Sequence, residues 1–87
     1  MFDETGMEIL KQSSYNLLEV NFHDVTIHSP LTGHDWIIVS NYEDQGCYIL
    51  HRHSARYPYH RQQGRYKSLK DAIKYIDRHE KWFTTKH

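Results

Sequence analysis

From Leu18 the chain alternates with a period of two: Leu18, Val20 and Phe22 are apolar, Glu19 and Asn21 polar. This is the pattern of a strand with one wet face. The phase slips at His23-Asp24, after which Val25 and Ile27 are the apolar positions. A β-bulge at the slip would return both sets to one side. Ser29-Pro30-Leu31-Thr32-Gly33 reads as a turn on proline and glycine grounds. Trp36-Ile37-Ile38-Val39 then suits a central strand partly covered on both faces. Glu43-Asp44-Gln45-Gly46 forms a hairpin connection to a third strand over residues 47–50, which runs out near His53. Residues 54–64 show no period and include Pro58 and Gly64, so they are expected to be loop.

The pattern changes at Ser68. Leu69, Ala72, Ile73, Ile76 and Phe83 recur at helical spacing and form a buried stripe expected to lie on the sheet. Ser68 and Asp71 have the spacing of a capping box. The helix is expected to end near Phe83, with Lys81 and Lys86 at the negative end of its dipole. At the other end of the chain, Met7, Ile9, Leu10 and Leu17 fit either a short helix beginning near Asp3 or Thr5, or an extended segment; the helix is favoured. The expectation is therefore one small α+β domain over residues 1–87. It has a three-stranded antiparallel sheet packed by a C-terminal amphipathic helix, in the order βββα, or αβββα if the first helix forms.

Composition limits what such a domain does. Eighty-seven residues leave room for one core. The hydrophobic fraction is only 38%, offset by 14% aromatic residues with large buried area per ring, so modest stability is expected. Residues 1–10 carry Asp3, Glu4 and Glu8 without a base, unlike a secretory signal, and no apolar run is long enough to span a membrane. The single cysteine, Cys47, has no intrachain partner, which points to a reducing cytoplasm. No GxSxG, P-loop or GxGxxG is present, and Cys47 sits in an apolar strand that would keep its thiol inert. An enzyme is not expected.

A formal net charge of zero hides a division: residues 1–44 hold eight acids and one base, residues 45–87 ten bases and three acids. Either one side faces an anionic partner, or the two halves interleave on the folded surface. No Asp or Glu occurs between Gln45 and Lys70, where Arg52, Arg56, Arg61, Arg65, Lys67 and Lys70 alternate with Tyr48, Tyr57, Tyr59 and Tyr66. Guanidinium forks match phosphate oxygens, and tyrosine rings offer a face for unpaired bases. With Lys74 from the helix, these residues define an expected nucleic-acid surface: Arg52, Arg56, Arg61, Arg65, Lys67, Lys70 and Lys74 on phosphates, Tyr57, Tyr59 and Tyr66 stacking or positioning. The alternative is a protein-interaction or inhibitory module from a phage or mobile element. It would use the same Arg-Tyr loop, or the acidic residues Glu19, Asp24, Asp35, Glu43 and Asp44.

Strands followed by a helix with a basic approach resemble the βββα DNA-binding modules of some phage-type integrases. With the first helix counted, the order is similar to that of double-stranded-RNA-binding domains, in which Gly64, Lys67 and Lys70 match the glycine turn and lysines before the last helix. Both resemblances rest on element order and imply nucleic-acid binding by analogy.

Eight histidines remain. His51 and His53 would share one side of a strand, joined by Cys47 and by His60 from the loop, a set zinc would accept. Paired CxxC or HxxxH spacings are absent, so exposed or hydrogen-bonded imidazoles are the expectation, with no metal or cofactor assigned.

Overall fold

The computed structural model describes residues 2–41 and 46–86. It is an α+β fold in the order α1 (Glu4–Lys11), β1 (Asn16–Val20), β2 (Asp24–His28), β3 (Asp35–Ser40), β4 (Cys47–Arg52), β5 (His60–Arg61) and α2 (Leu69–Lys86). The five strands form one antiparallel sheet in sequence order. The class is the expected one, but the sheet has five strands and not three.

Both extra strands have a local cause. What reads as one bulged strand from Leu18 to Ile27 is a hairpin. Asn21 N–H donates to the Asp24 carbonyl at 2.8 Å, and Asn21 Nδ2 reaches the Asp24 carboxylate at 2.8 Å. An asparagine turn does the work that glycine or proline would advertise. The phase slip is this turn, and the bulge lies earlier, between Leu17 and Glu19. The fifth strand is two residues long, too short for any period, and pairs Leu50 with Arg61 and His51 with His60. The expected hairpin at residues 43–46 lies largely outside the described residues.

Both helices cover one face of the sheet. The inward residues of β2, β3 and β4 (Val25, Ile27, Trp36, Ile38, Cys47 and Ile49) meet Leu69, Ala72, Ile73 and Ile76 of α2 and Leu10 of α1 in one buried cluster. Ser68 caps α2 as its spacing predicts, its Oγ accepting from Asp71 N–H at 3.3 Å, and the helix continues past Phe83 to Lys86. Asp3 ties the two helices together: its carboxylate accepts from Gly6 N–H at 2.9 Å and from Leu69 N–H at 3.1 Å. Gly6 is required at that contact, because a Cβ there would stand 2.7 Å from the Leu69 Cβ. Among the described residues no helix is long and apolar enough to cross a membrane.

Among the described residues, no helix lies on the opposite sheet face. One acid of the first half and one base of the second meet across the strands, Asp35 on β3 pairing with Arg52 on β4 at 2.8 Å.

Candidate metal centre

The covered face changes character along its length. On β3 the inward residues run Ile38, Trp36 and then His34 just before the strand; on β4 they run Cys47, Ile49, His51. On α2, His79 and Glu80 follow Ile76 by three and four residues, which keeps them on the sheet side of the helix. Three elements thus deliver imidazoles to one end of the layer. His34 and His51 are each 1% exposed and Glu80 4%.

Local structure fixes each group. His34 is placed by the turn at residues 29–33, closed by Gly33 N–H to the Ser29 carbonyl at 2.8 Å and by Ser29 N–H to the His34 carbonyl at 2.9 Å. Gly33 makes the turn possible with φ 81°, in the left-handed region. Thr32 in that turn donates to both Glu80 carboxylate oxygens, at 2.8 and 3.0 Å, and accepts from His34 N–H at 3.2 Å. His51 stacks on Trp36, ring centroids 3.9 Å apart, and its Nε2 lies 3.0 Å from His34 Nδ1. His79 packs edge-on to both, 5.1 Å from the Trp36 ring and 5.0 Å from the His51 ring. Phe83 closes over His34 at 4.4 Å.

Nitrogens of His34, His51 and His79 all lie within 4.8 Å of one another. Burial, with neighbouring His53 and His79 adding to it, lowers the His34 pKa to about 4. Burial and the surrounding imidazoles lower that of His51 to about 3. His79 is lowered as well, chiefly by burial, with Glu80 opposing. The three rings are therefore neutral at neutral pH, which is the form that donates a lone pair to a metal. For the same reason the 3.6 Å approach of His34 Nδ1 to Glu80 is a contact between an imidazole and a carboxylate, not an ion pair. His79 Nδ1 is buried and makes no hydrogen bond among the described residues. A buried polar nitrogen without a partner is costly in a folded protein and asks for an explanation.

The histidines weighed from the sequence are only partly those assembled. His51 belongs to the centre. His53 and His60 are exposed at its margin, with His53 4.6 Å from the His34 ring and His60 paired with His51 across β4 and β5. Cys47 lies four residues along β4, roughly 13 Å away at strand rise, and burial raises its thiol pKa to about 11. His34 and His79 carry no motif spacing. Their signal is periodic instead: His34 continues Ile38 and Trp36 by twos, and His79 continues Ile76 by helical spacing.

The Arg-Tyr residues divide between surfaces. Arg52 and Arg61 lie on the uncovered sheet face, Arg52 4.3 Å over the Tyr59 ring and Arg61 4.4 Å over the Tyr48 ring. Arg52 is also paired with Asp35, which burial alone would make a weaker acid but which hydrogen bonds from His28 and Arg52 hold below the usual carboxylate range. Lys70 and Lys74 are exposed on α2, across the sheet from those arginines. Arg56, Tyr57, Arg65 and Lys67 are exposed along the connecting loop. Tyr66 turns inward beside Tyr75, ring centroids 5.3 Å apart, and pairs through its backbone with Cys47.

No known protein family, curated protein or solved structure matches the chain.

Proposed function

We propose that this protein is a metal-binding domain holding one divalent transition ion, of the zinc class, between α2 and the sheet through His34, His51 and His79. The observation that carries the reading is the convergence of three neutral, mostly buried imidazoles from three separate elements, one with an orphaned nitrogen. Imidazole donors suit zinc, copper and nickel ahead of magnesium or calcium. Zinc–nitrogen bonds of ~2.05 Å in a tetrahedral site put ligand nitrogens ~3.3 Å apart. The present spread of 4.8 Å closes to that with side-chain shifts of about 1.5 Å. Glu80, clamped by Thr32, supplies a nearby negative charge. Burial of His34 and His51 fits an ion that fastens the helix to the sheet.

The test is calorimetric titration and thermal unfolding of chelator-stripped protein with zinc. One ion per chain is expected, together with a raised midpoint. His34→Ala, His51→Ala and His79→Ala should each weaken binding at least tenfold, while His23→Ala leaves it unchanged. Stripped wild-type protein that ignores excess zinc would refute the reading.

A second reading rests on the two arginine–tyrosine stacks. It is that the uncovered sheet face, with Arg61, Tyr48, Tyr59 and the exposed Arg56, binds single-stranded nucleic acid. Stacked guanidinium and phenol groups suit bases and phosphates together. Binding of an oligonucleotide that falls steeply with salt supports it; binding indifferent to salt and to Arg61→Ala counts against it and favours a protein partner.

A further inference from the structure

The Gln62 amide gives the hydrogen bonds behind His51 one direction in this structure. Tyr75 O–H donates to Gln62 Oε1 at 3.2 Å. The amide nitrogen of Gln62 stands 3.0 Å from His60 Nε2 and 3.5 Å from His51 Nδ1. An amide nitrogen only donates, so His51 Nδ1 accepts. A neutral His51 then carries its proton on Nε2, which donates to His34 Nδ1 at 3.0 Å. The chain runs one way, from Tyr75 through Gln62 and His51 to His34.

That direction suits the metal-free protein and opposes the loaded one. The His51 nitrogen facing its fellow ligands is Nε2, and in this tautomer it has no lone pair to give. If it binds an ion, the ring proton must sit on Nδ1, facing the donor group of Gln62. Two donors would then meet. Turning the Gln62 amide over resolves the conflict: Oε1 accepts from His51 Nδ1–H, and Nε2 donates to the Tyr75 oxygen. His51 keeps one proton throughout, moved from Nε2 to Nδ1 by way of solvent, and the ion takes the vacated lone pair. Oε1 then stands near His60 as well, and that bond reverses too, His60 donating from its Nε2–H tautomer.

We propose that Gln62 is the positioning residue of the metal site, a two-state amide that holds His51 in one tautomer when the site is empty and in the other when an ion is bound. This rests on the metal-binding reading above. Metal-bound histidines generally donate their second N–H to a carboxylate or carbonyl, and loss of such a partner costs about 10- to 100-fold in affinity. Gln62 directly follows β5, half-buried and outside the apolar cluster, so its replacement removes no part of the hydrophobic core.

The experiment combines zinc titration with long-range nitrogen–proton NMR of the His51 ring, which reads the tautomer directly. Wild-type protein should show the Nε2–H form without zinc and the Nδ1–H form with it. Gln62→Glu, an acceptor in either orientation, should favour the Nδ1–H form before zinc is added and bind zinc about tenfold tighter. Gln62→Leu should bind at least tenfold more weakly. If wild-type protein binds zinc but its His51 tautomer does not change, or if both variants bind like wild type, the role of Gln62 is overturned while the metal site stands. If wild-type protein binds no zinc, the site itself fails.

Discussion

The two ends of the layer between α2 and the sheet are built on the same strands and helix, yet from opposite materials. At one end Ile38, Ile49 and Ile73 meet with no polar atom to satisfy; at the other His34, His51 and His79 occupy the continuing positions of the same periodicities. Ile49 and His51 are two residues apart on one strand, face the same way, and are 0% and 1% exposed. Burial stabilises the aliphatic end directly. At the imidazole end, burial costs desolvation and must be offset by stacking, hydrogen bonds or an ion. A buried cluster of that kind is a poor way to fill a core and a good way to hold a metal.

The sharpest way to break the comparison is to delete a side chain from each end. Ile49→Ala should destabilise the domain by about 2–5 kcal/mol, through lost transfer energy and the cavity left behind. The cost should be the same with and without zinc, as read by urea denaturation. His51→Ala should lose something different: the zinc increment itself, worth about 2.7 kcal/mol when free zinc is 100 times its dissociation constant. An Ile49→Ala protein that folds and has lost zinc binding, or a His51→Ala protein that keeps the full increment, would erase the distinction between the ends.

Acid should separate the two ends without any mutation. In the metal-free protein the folded-state pKa of His34 is lowered to about 4 and that of His51 to about 3, against 6.5 for the unfolded chain. Below pH 6.5 the unfolded state binds protons that the folded state refuses, so the equilibrium moves toward unfolding as pH falls. Stability contributed by these neutral rings is whole above pH 6.5 and is lost progressively down to about pH 4 and below. His51→Phe, which keeps a ring against Trp36 and removes a titrating group, should show a shallower decline in urea midpoint between those limits. An identical slope would mean that other groups carry the acid sensitivity.

The same contrast explains how much of the molecule was legible beforehand. The stripe of α2, the turn at residues 29–33 and the central strand at Trp36 were readable because apolar side chains repeat with the period of the backbone and Gly33 or Ser68 punctuates it. The hairpin at Asn21 was not, because its turn depends on a side-chain hydrogen bond to Asp24 that no glycine announces. The two-residue β5 has no period to read. His51 was in view as a possible zinc ligand, but His34 and His79 escaped for a related reason. They obey the apolar periodicities, but histidine counts as polar when a pattern is scored, so the α2 stripe passes from Ile76 to Phe83 over His79, and the β3 run begins at Trp36, two residues after His34. Sequence order also hid the pairing of Asp35 with Arg52, seventeen residues apart, which antiparallel register sets side by side.

The smallest effect is expected on the other side of the sheet. Arg61 lies over Tyr48 at a solvent-facing edge, where a cation–π contact is worth about 0.5–1 kcal/mol. Arg61→Ala should lower stability by no more than that and leave zinc affinity alone, since Arg61 pairs with Leu50 and points away from the covered face. If this face binds single-stranded nucleic acid, the same variant should remove about one phosphate contact. The slope of log affinity against log salt should then shrink by about 0.7. Arg52→Ala gives a different result under the same reading, because its guanidinium already serves Asp35 and its loss leaves that buried carboxylate with His28 alone. Arg52→Ala should therefore cost more stability than Arg61→Ala while changing the salt slope less. A larger slope change for Arg52 would mean that the Asp35 pair opens to receive phosphate, and the uncovered face would then be a binding surface with its cations held in reserve.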